Sequence, residues 1–308
     1  MKDDIIMGMA SPMRDIFRIH ALRFGSPGQK TVALVGAMRG DEVQQLYIAS
    51  QVVIALRVLE QQGKIKQGCG ITVIPSANPF SMNIGKRFWA MDNTDINRMF
   101  PGYHRGETTQ RIAAALFDEL QGYTYGMQLA SFYIPGDFIP HVRMIDTGYQ
   151  DVTTAALFGL PYTLLAAPRP YDTTLLNYNW QIWNTKAYSL YAGPNGPLGG
   201  DASRDMVNAI INFMGRIGAL DIEAGEAMPS VLIDQRELLT VKPSAAGIFS
   251  RIVAASDRVS EGDIMARIID PIYGDVKEEV RAPADGEVFF AHSKPLALEG
   301  TPLFKLII

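Results

Sequence analysis

Along the first two thirds of the chain, short apolar runs alternate with longer segments in which apolar residues recur every three or four positions. Residues 16–24, 31–36 and 70–75 are compact apolar runs bounded by glycine, proline or polar residues, and each predicts a strand. Residues 42–62 and 107–120 carry the helical repeat. Strand followed by helix predicts an α/β layer structure around a parallel or mixed sheet, whose loops at the carboxyl ends of the strands build the site. The stretch 36–42, Gly-Ala-Met-Arg-Gly-Asp-Glu, leaves one such strand and enters a helix, so a ligand site is expected there.

Beyond Gly225 the pattern changes to short strands punctuated by turns, with no helical repeat from about Ser230 to Ile308. Two domains are expected, an α/β domain over residues 1–225 and an all-β domain over 226–308. The second contains an internal echo. Ala246-Gly247-Ile248-Phe249 is followed by Val259-Ser260-Glu261-Gly262-Asp263, and Asp285-Gly286-Glu287-Val288 by Leu298-Glu299-Gly300-Thr301. Each half places a glycine before an apolar pair and, about a dozen residues later, an acid-glycine turn. This arrangement looks like the two interlocked halves of a barrel-sandwich hybrid, the fold of biotinyl and lipoyl carrier domains. Lys277 and Lys294 lack the sequence context of a carrier lysine, so a structural or lid role is expected.

At 308 residues the chain is long enough for one large core and a smaller module. Its 28 Lys+Arg and 32 Asp+Glu give a formal charge of -4 without a basic tract, which argues against nucleic acid as a partner. Cys69 is the single cysteine, so an intramolecular disulfide and a cysteine-based zinc cluster are excluded. Met1 to Met13 lacks the layout of a secretory signal, and nothing approaches the roughly 20 apolar residues that cross a bilayer. A cytoplasmic protein with no membrane partner is expected. Neither a Gly-x-Ser-x-Gly elbow nor a phosphate-binding Gly-x-x-x-x-Gly-Lys-Ser/Thr loop occurs.

Gly36-x-x-Arg39-Gly-Asp-Glu42, Pro75-Ser-Ala-Asn78-Pro79-Phe80, the string Asp95-Ile-Asn97-Arg98-Met-Phe100-Pro101-Gly102 and the β domain, taken in order, resemble the succinylglutamate desuccinylase and aspartoacylase family, relatives of the zinc carboxypeptidases. The resemblance implies a carboxypeptidase-like mixed sheet flanked by helices. It also implies a loop His-Gly-x-Glu whose His and Glu bind zinc with a later His, and a further Glu that moves the proton. Glu42 matches the ligand Glu. Arg39 stands at the first His, and a protonated guanidinium has no lone pair for zinc. The second His falls on Ala130 within Gln128-Leu129-Ala130-Ser131, and the proton-moving Glu on Tyr191 within Ser189-Leu190-Tyr191-Ala192-Gly193.

By the same resemblance Asn97 and Arg98 grip the carboxylate of an acyl amino acid, with Arg87 a second anion contact or a surface charge. Asp95 is expected to orient Arg98 or its turn. An Arg39–Glu42 ion pair in the place of the metal is expected, since a buried carboxylate without a cation is costly. Tyr191 either adds a hydroxyl where the carboxylate was or packs in the wall. The leading function is binding of a small carboxylate-bearing ligand, such as an N-acyl amino acid, without standard zinc-dependent hydrolysis and with no cofactor. The alternative is an active metal-dependent amide hydrolase with zinc at a rebuilt site of Glu42 and His141; His20, His104 and His292 are weaker ligand candidates. A third reading is an interaction or assembly module that uses the β domain to cap the pocket or join subunits, with the aromatic stretch 162–191, holding Trp180 and Trp183, as an oligomer surface. A homo-oligomer is expected.

Overall fold

The protein is described from a computed structural model that covers residues 1–193, 198 and 200–308. Contacts divide the described residues into two units, the first made of Met1–Ser131, His141–Ala192 and those of 198–232, the second of Phe132–Pro140, Gly193 and Ile233–Ile308. The expected division into 1–225 and 226–308 is linear. The contacts are not, because the strand Gly136–Phe138 pairs with Gly286–His292 and so belongs to the second unit.

The first unit is built on a nine-stranded mixed sheet. Its strands lie in the order Lys2–Ser11, Arg14–Gly25, Gly70–Ser76, Val32–Ala37, Tyr125–Leu129, Lys186–Tyr191, His141–Ile145, Tyr162–Ala166 and Val231–Asp234. The four central strands, Gly70–Ser76 to Lys186–Tyr191, run parallel. The three apolar runs of the sequence are all strands here, and Val32–Ala37 is buried on both faces, as a parallel strand covered by helices must be. Lys2–Ser11 is an edge strand that the apolar pattern does not announce, since residues 2–10 are all exposed or half-buried.

Helices cover both faces. Ile48, Val52 and Leu56 of helix Val43–Gln61 and Met206, Ile210 and Phe213 of helix Asp201–Arg216 pack with Leu34, Met127, Leu129, Val142 and Leu190. On the opposite face Ile112, Leu116 and Phe117 of helix Thr108–Leu120, with Leu176 and Trp180 of helix Leu176–Ile182, pack with Ala33, Val35 and Ala187. Helix Thr108–Leu120 begins where Gln110 Oε1 accepts from the Glu107 backbone N–H at 3.0 Å, which satisfies a donor the helix cannot. No described helix is long and apolar enough to cross a membrane.

In the second unit two antiparallel sheets enclose one apolar cluster that includes Phe249, Met265, Ile268, Val288, Leu303 and Phe304. The sequence echo has a structural counterpart. Gly247 and Gly286 each open a strand, and a Cβ on either would stand 2.4 Å from Ile269 O or 2.5 Å from Ile307 O on the neighbouring strand, so only glycine fits. Gly262 and Gly300 turn the chain with φ of 88° and 75°.

Candidate functional site

The parallel strands end at Ala37, Ser76 and Leu129, and the loop from Met38 to Glu42 crosses these ends before the helix starts at Val43. The loop lies against backbone. A Cβ on Gly40 would fall 2.2 Å from Lys86 O and 2.5 Å from the Ser81 carbonyl carbon. Gly40 N also donates to Arg87 O at 2.9 Å, which fixes the loop to the segment that carries Arg87.

Glu42 is 2% exposed, and its carboxylate accepts four hydrogen bonds. Oε2 takes the backbone N–H groups of Met38 and Arg39 at 2.9 and 3.0 Å. Oε1 takes Arg39 Nη1 at 2.9 Å and the Ser131 hydroxyl at 2.6 Å. An ionised carboxylate has about four acceptor sites, so these donors fill it. The expected Arg39–Glu42 pair is therefore present and buried. Arg39 also reaches Asp95, donating from Nε at 3.2 Å and from Nη2 at 2.9 Å to Oδ2. The other Asp95 oxygen accepts from Asn97 N at 3.1 Å and caps the short turn Ile96–Arg98.

Arg87 closes the other end. It donates from Nη2 to Ser131 Oγ at 3.3 Å and from Nη1 to Asp41 Oδ2 at 2.8 Å. Asp95, Arg39, Glu42, Ser131, Arg87 and Asp41 thus form one hydrogen-bonded string in which two guanidinium groups meet three carboxylates. With two cations against three anions the string is left one negative charge in excess and offers no surplus of positive charge to an anion.

The residues at the other family positions stand as follows. Ala130 lies beside the loop's helix, where its carbonyl accepts from Gln45 Nε2 at 3.1 Å, but it presents only a methyl group. Tyr191 ends strand Lys186–Tyr191 and stacks on His141, with ring centroids 4.6 Å apart and planes 7° from parallel. His141 is fully buried at the start of its strand, register partner of Tyr191. Among the described residues no group of three His, Cys, Asp or Glu side chains is placed to hold a metal ion. The donor set does not fit zinc either, because Arg39 cannot ligate and the Glu42 acceptor sites are occupied. His20 and His104 make exposed pairs with Asp3 and Asp118 at 2.9 and 2.8 Å, and His292 lies in the second unit.

Asn97 and Arg98 are brought together with residues the sequence does not single out. Arg98 Nη1 donates to Tyr171 O at 2.8 Å and lies 3.7 Å from Asp172 Oδ1, while its Cζ sits 5.1 Å from the Tyr171 ring centre. The Asn97 side-chain oxygen accepts from Leu176 N at 3.5 Å. Asp95 orients the turn as expected and also holds the Arg39 guanidinium. Trp180 corrects the idea of an aromatic oligomer surface, since it is fully buried and its Nε1 donates to Leu120 O at 3.1 Å. Trp183 is 52% exposed. The Ser131 link to Glu42 was readable only as a neighbour of Ala130; nothing local in the sequence marks it as a partner 89 residues away.

Comparison with known proteins gives a consistent set of relatives. Residues 28–214 match the family described as the succinylglutamate desuccinylase/aspartoacylase catalytic domain. The N-alpha-acetyl-L-2,4-diaminobutyric acid deacetylase of Halomonas elongata is 25% identical over 272 residues, which span 83% of this chain and 75% of that protein. A crystal structure of a succinylglutamate desuccinylase from a Silicibacter species superposes with a TM-score of 0.80 at 20% identity, over 98% of this chain and 93% of that one. The product-bound ectoine utilization protein of Ruegeria pomeroyi gives 0.78 at 19% identity, over 94% and 89% of the two chains. The two structures share the fold.

Proposed function

Because the chain belongs to the succinylglutamate desuccinylase/aspartoacylase family, we propose that it binds a small carboxylate-bearing ligand of the N-acyl amino acid class and does so without the family's zinc-dependent amide hydrolysis. The observation that carries the proposal is the filled carboxylate of Glu42. Arg39 stands where a metal ligand is implied and supplies the neutralising charge itself, so the loop keeps its shape without an ion. Zinc at this loop would have to displace Arg39 or Ser131 from Oε1. No step of a hydrolytic reaction is therefore assigned to Glu42.

The ligand's carboxylate is assigned to Arg98, with Asn97 beside it. The name of the Halomonas relative supports the ligand class, since its substrate is an N-acetylated amino acid. That relative also favours a second reading, amide hydrolysis at a rebuilt metal site of Glu42 and His141. We read the second unit as a barrel-sandwich-hybrid-like module with a structural role. Its two sheets and matched glycines support this, and Lys277 lies 3.6 Å from Asp270 in an ion pair and not at a carrier lysine's hairpin tip.

Calorimetric titration with N-acetyl amino acids, run beside an assay for released amine, tests the proposal. Binding without amine release is expected, and Arg98→Ala weakens it ten-fold or more, as loss of a charge-assisted anchor of about 1.5–3 kcal/mol requires. Amine released above the uncatalysed rate, or binding indifferent to Arg98→Ala, would contradict it.

A further inference from the structure

Helix Leu176–Ile182 has two buried faces. Leu176 and Trp180, four residues apart, belong to the apolar cluster that includes Ala187. The Trp180 ring lies 2.8 Å from where a Cβ on Gly126 would stand. The helix therefore covers the sheet face that bears Gly126 and Ala187 and, by alternation along the same strands, Gln128 and Ser189. Gln128 and Arg143 are both register partners of Ser189, while Met127, Leu129, Val142, Met144, Tyr188 and Leu190 serve the apolar cluster on the other face. The sheet turns a polar row toward the side on which the helix lies.

The second buried face of the helix answers that row. Asn177 and Gln181 are also four residues apart and are 3% and 0% exposed. Neither the oxygen nor the nitrogen of the Asn177 carboxamide has a hydrogen-bond partner among the described residues, nor does Gln181 Nε2. The Gln181 amide has a defined orientation. Thr147 Oγ1 accepts from Tyr149 N at 3.2 Å and has its proton left for Gln181 Oε1, 2.8 Å away, so the amide nitrogen faces outward from that contact. Asp172 Oδ1, buried in the same ten-residue segment, makes no hydrogen bond among the described residues and faces the Arg98 guanidinium at 3.7 Å.

Buried polar groups in folded chains are nearly always paired, and groups that are not require an explanation. Gln181 Oε1 is held by Thr147, but Gln181 Nε2 and the whole Asn177 carboxamide make no hydrogen bond among the described residues, so packing alone does not account for them. The segment is also joined to the carboxylate grip, through Leu176 N to Asn97 Oδ1 at 3.5 Å and Arg98 Nη1 to Tyr171 O at 2.8 Å.

We propose that Asn177 and Gln181 form the subsite that reads the ligand's side chain and select an uncharged carboxamide over a second carboxylate. The inference rests on the ligand-binding reading above. Asn177 offers one donor group and one acceptor, the complement of a primary carboxamide, and Gln181 Nε2 adds a donor to its oxygen. A ligand carboxylate in the same place would meet the Asn177 oxygen, with Arg98 already engaged by the first carboxylate. The ligand class is an N-acyl derivative of glutamine or asparagine, as opposed to glutamate or aspartate.

The test is calorimetric titration of the full chain with N-acetyl-L-glutamine and N-acetyl-L-glutamate, and with the asparagine and aspartate pair. The amide member of one pair binds at least about ten-fold tighter than its acid, the scale on which a site built to hydrogen-bond a group rejects its analogue. Asn177→Leu and Gln181→Leu bring that ratio toward one, while Asn177→Leu raises the melting temperature, because the unpaired amide is gone. Asn177→Ala, which adds no bulk, loses the ratio as well should leucine disturb the fold. Arg98→Ala weakens both members of a pair equally. Equal affinity for amide and acid, with the dependence on Arg98 intact, overturns the subsite and leaves the ligand-binding reading standing. Binding of neither member overturns both.

Discussion

Replacing Arg39 by methionine removes the guanidinium that joins Glu42 to Asp95 and keeps an unbranched stem. Three charge-assisted hydrogen bonds go, at 2.9 Å to Glu42 and at 2.9 and 3.2 Å to Asp95. The two carboxylates do not lose equally. Glu42 keeps the backbone N–H groups of residues 38 and 39 and the Ser131 hydroxyl, whereas Asp95 Oδ2 loses both of its Arg39 donors and Oδ1 keeps Asn97 N. Removing one member of a buried ion pair costs about 3–5 kcal/mol, a large share of the roughly 5–15 kcal/mol that holds a domain together. Most of that cost should fall on Asp95. Adding Asp95→Asn to Arg39→Met therefore recovers about 0.5–3 kcal/mol, and more than adding Glu42→Gln does. Urea unfolding followed by tryptophan fluorescence reads the correct unit, since Trp89, Trp180 and Trp183 all lie in the first. A loss below about 1 kcal/mol for Arg39→Met, the range of an exposed pair, would refute the structural role of this guanidinium.

Gly40→Ala drives a methyl into the backbone of Ser81 and Lys86 and should lose about 2–3 kcal/mol or more in the same titration, whereas Gly63→Ala, whose Cβ meets nothing within 4 Å, loses only the ~1–2 kcal/mol of a left-handed residue. Equal losses would show that the loop is not seated on that backbone. In the second unit, burial and then Lys294 hold the His292 imidazole below its ordinary pKa. The unfolded chain then takes the proton first, so this contribution is complete above about pH 6.5 and is lost as pH falls from there toward the depressed folded value. Thermal melts at pH 7.5 and 5 should show the wild type losing more melting temperature than His292→Phe, and an identical loss in both would mean that the imidazole contributes nothing to the acid sensitivity.

Much of the α/β frame was legible, because the strands at Val32–Ala37 and Gly70–Ser76 and the helices at Val43–Gln61 and Thr108–Leu120 are written in local periodicity. The Arg39–Glu42 pair was legible through the family resemblance, which puts Glu42 in a metal loop with Arg39 at a ligand's place three residues before it. Lys2–Ser11 was not, because an edge strand needs only a half-buried face and this one carries charges at its start. Asp95 and Ser131, 56 and 89 residues from their partners in the loop, carry no local signal for contacts that only the sheet order creates. Trp180 misled for the opposite reason: an aromatic residue in a polar stretch reads equally as surface or core, and Gly126 decides for the core by leaving room for its ring.

The central claim is that Arg39 has taken the metal's place in the loop, and the metal content of the purified protein tests it most directly. Mass spectrometry before zinc addition, and again after zinc loading and desalting, should find near-zero zinc both times. One zinc per chain in either sample would mean that Glu42 exchanges its protein donors for an ion, and metal-dependent amide hydrolysis would replace ligand binding without hydrolysis as the function of this chain.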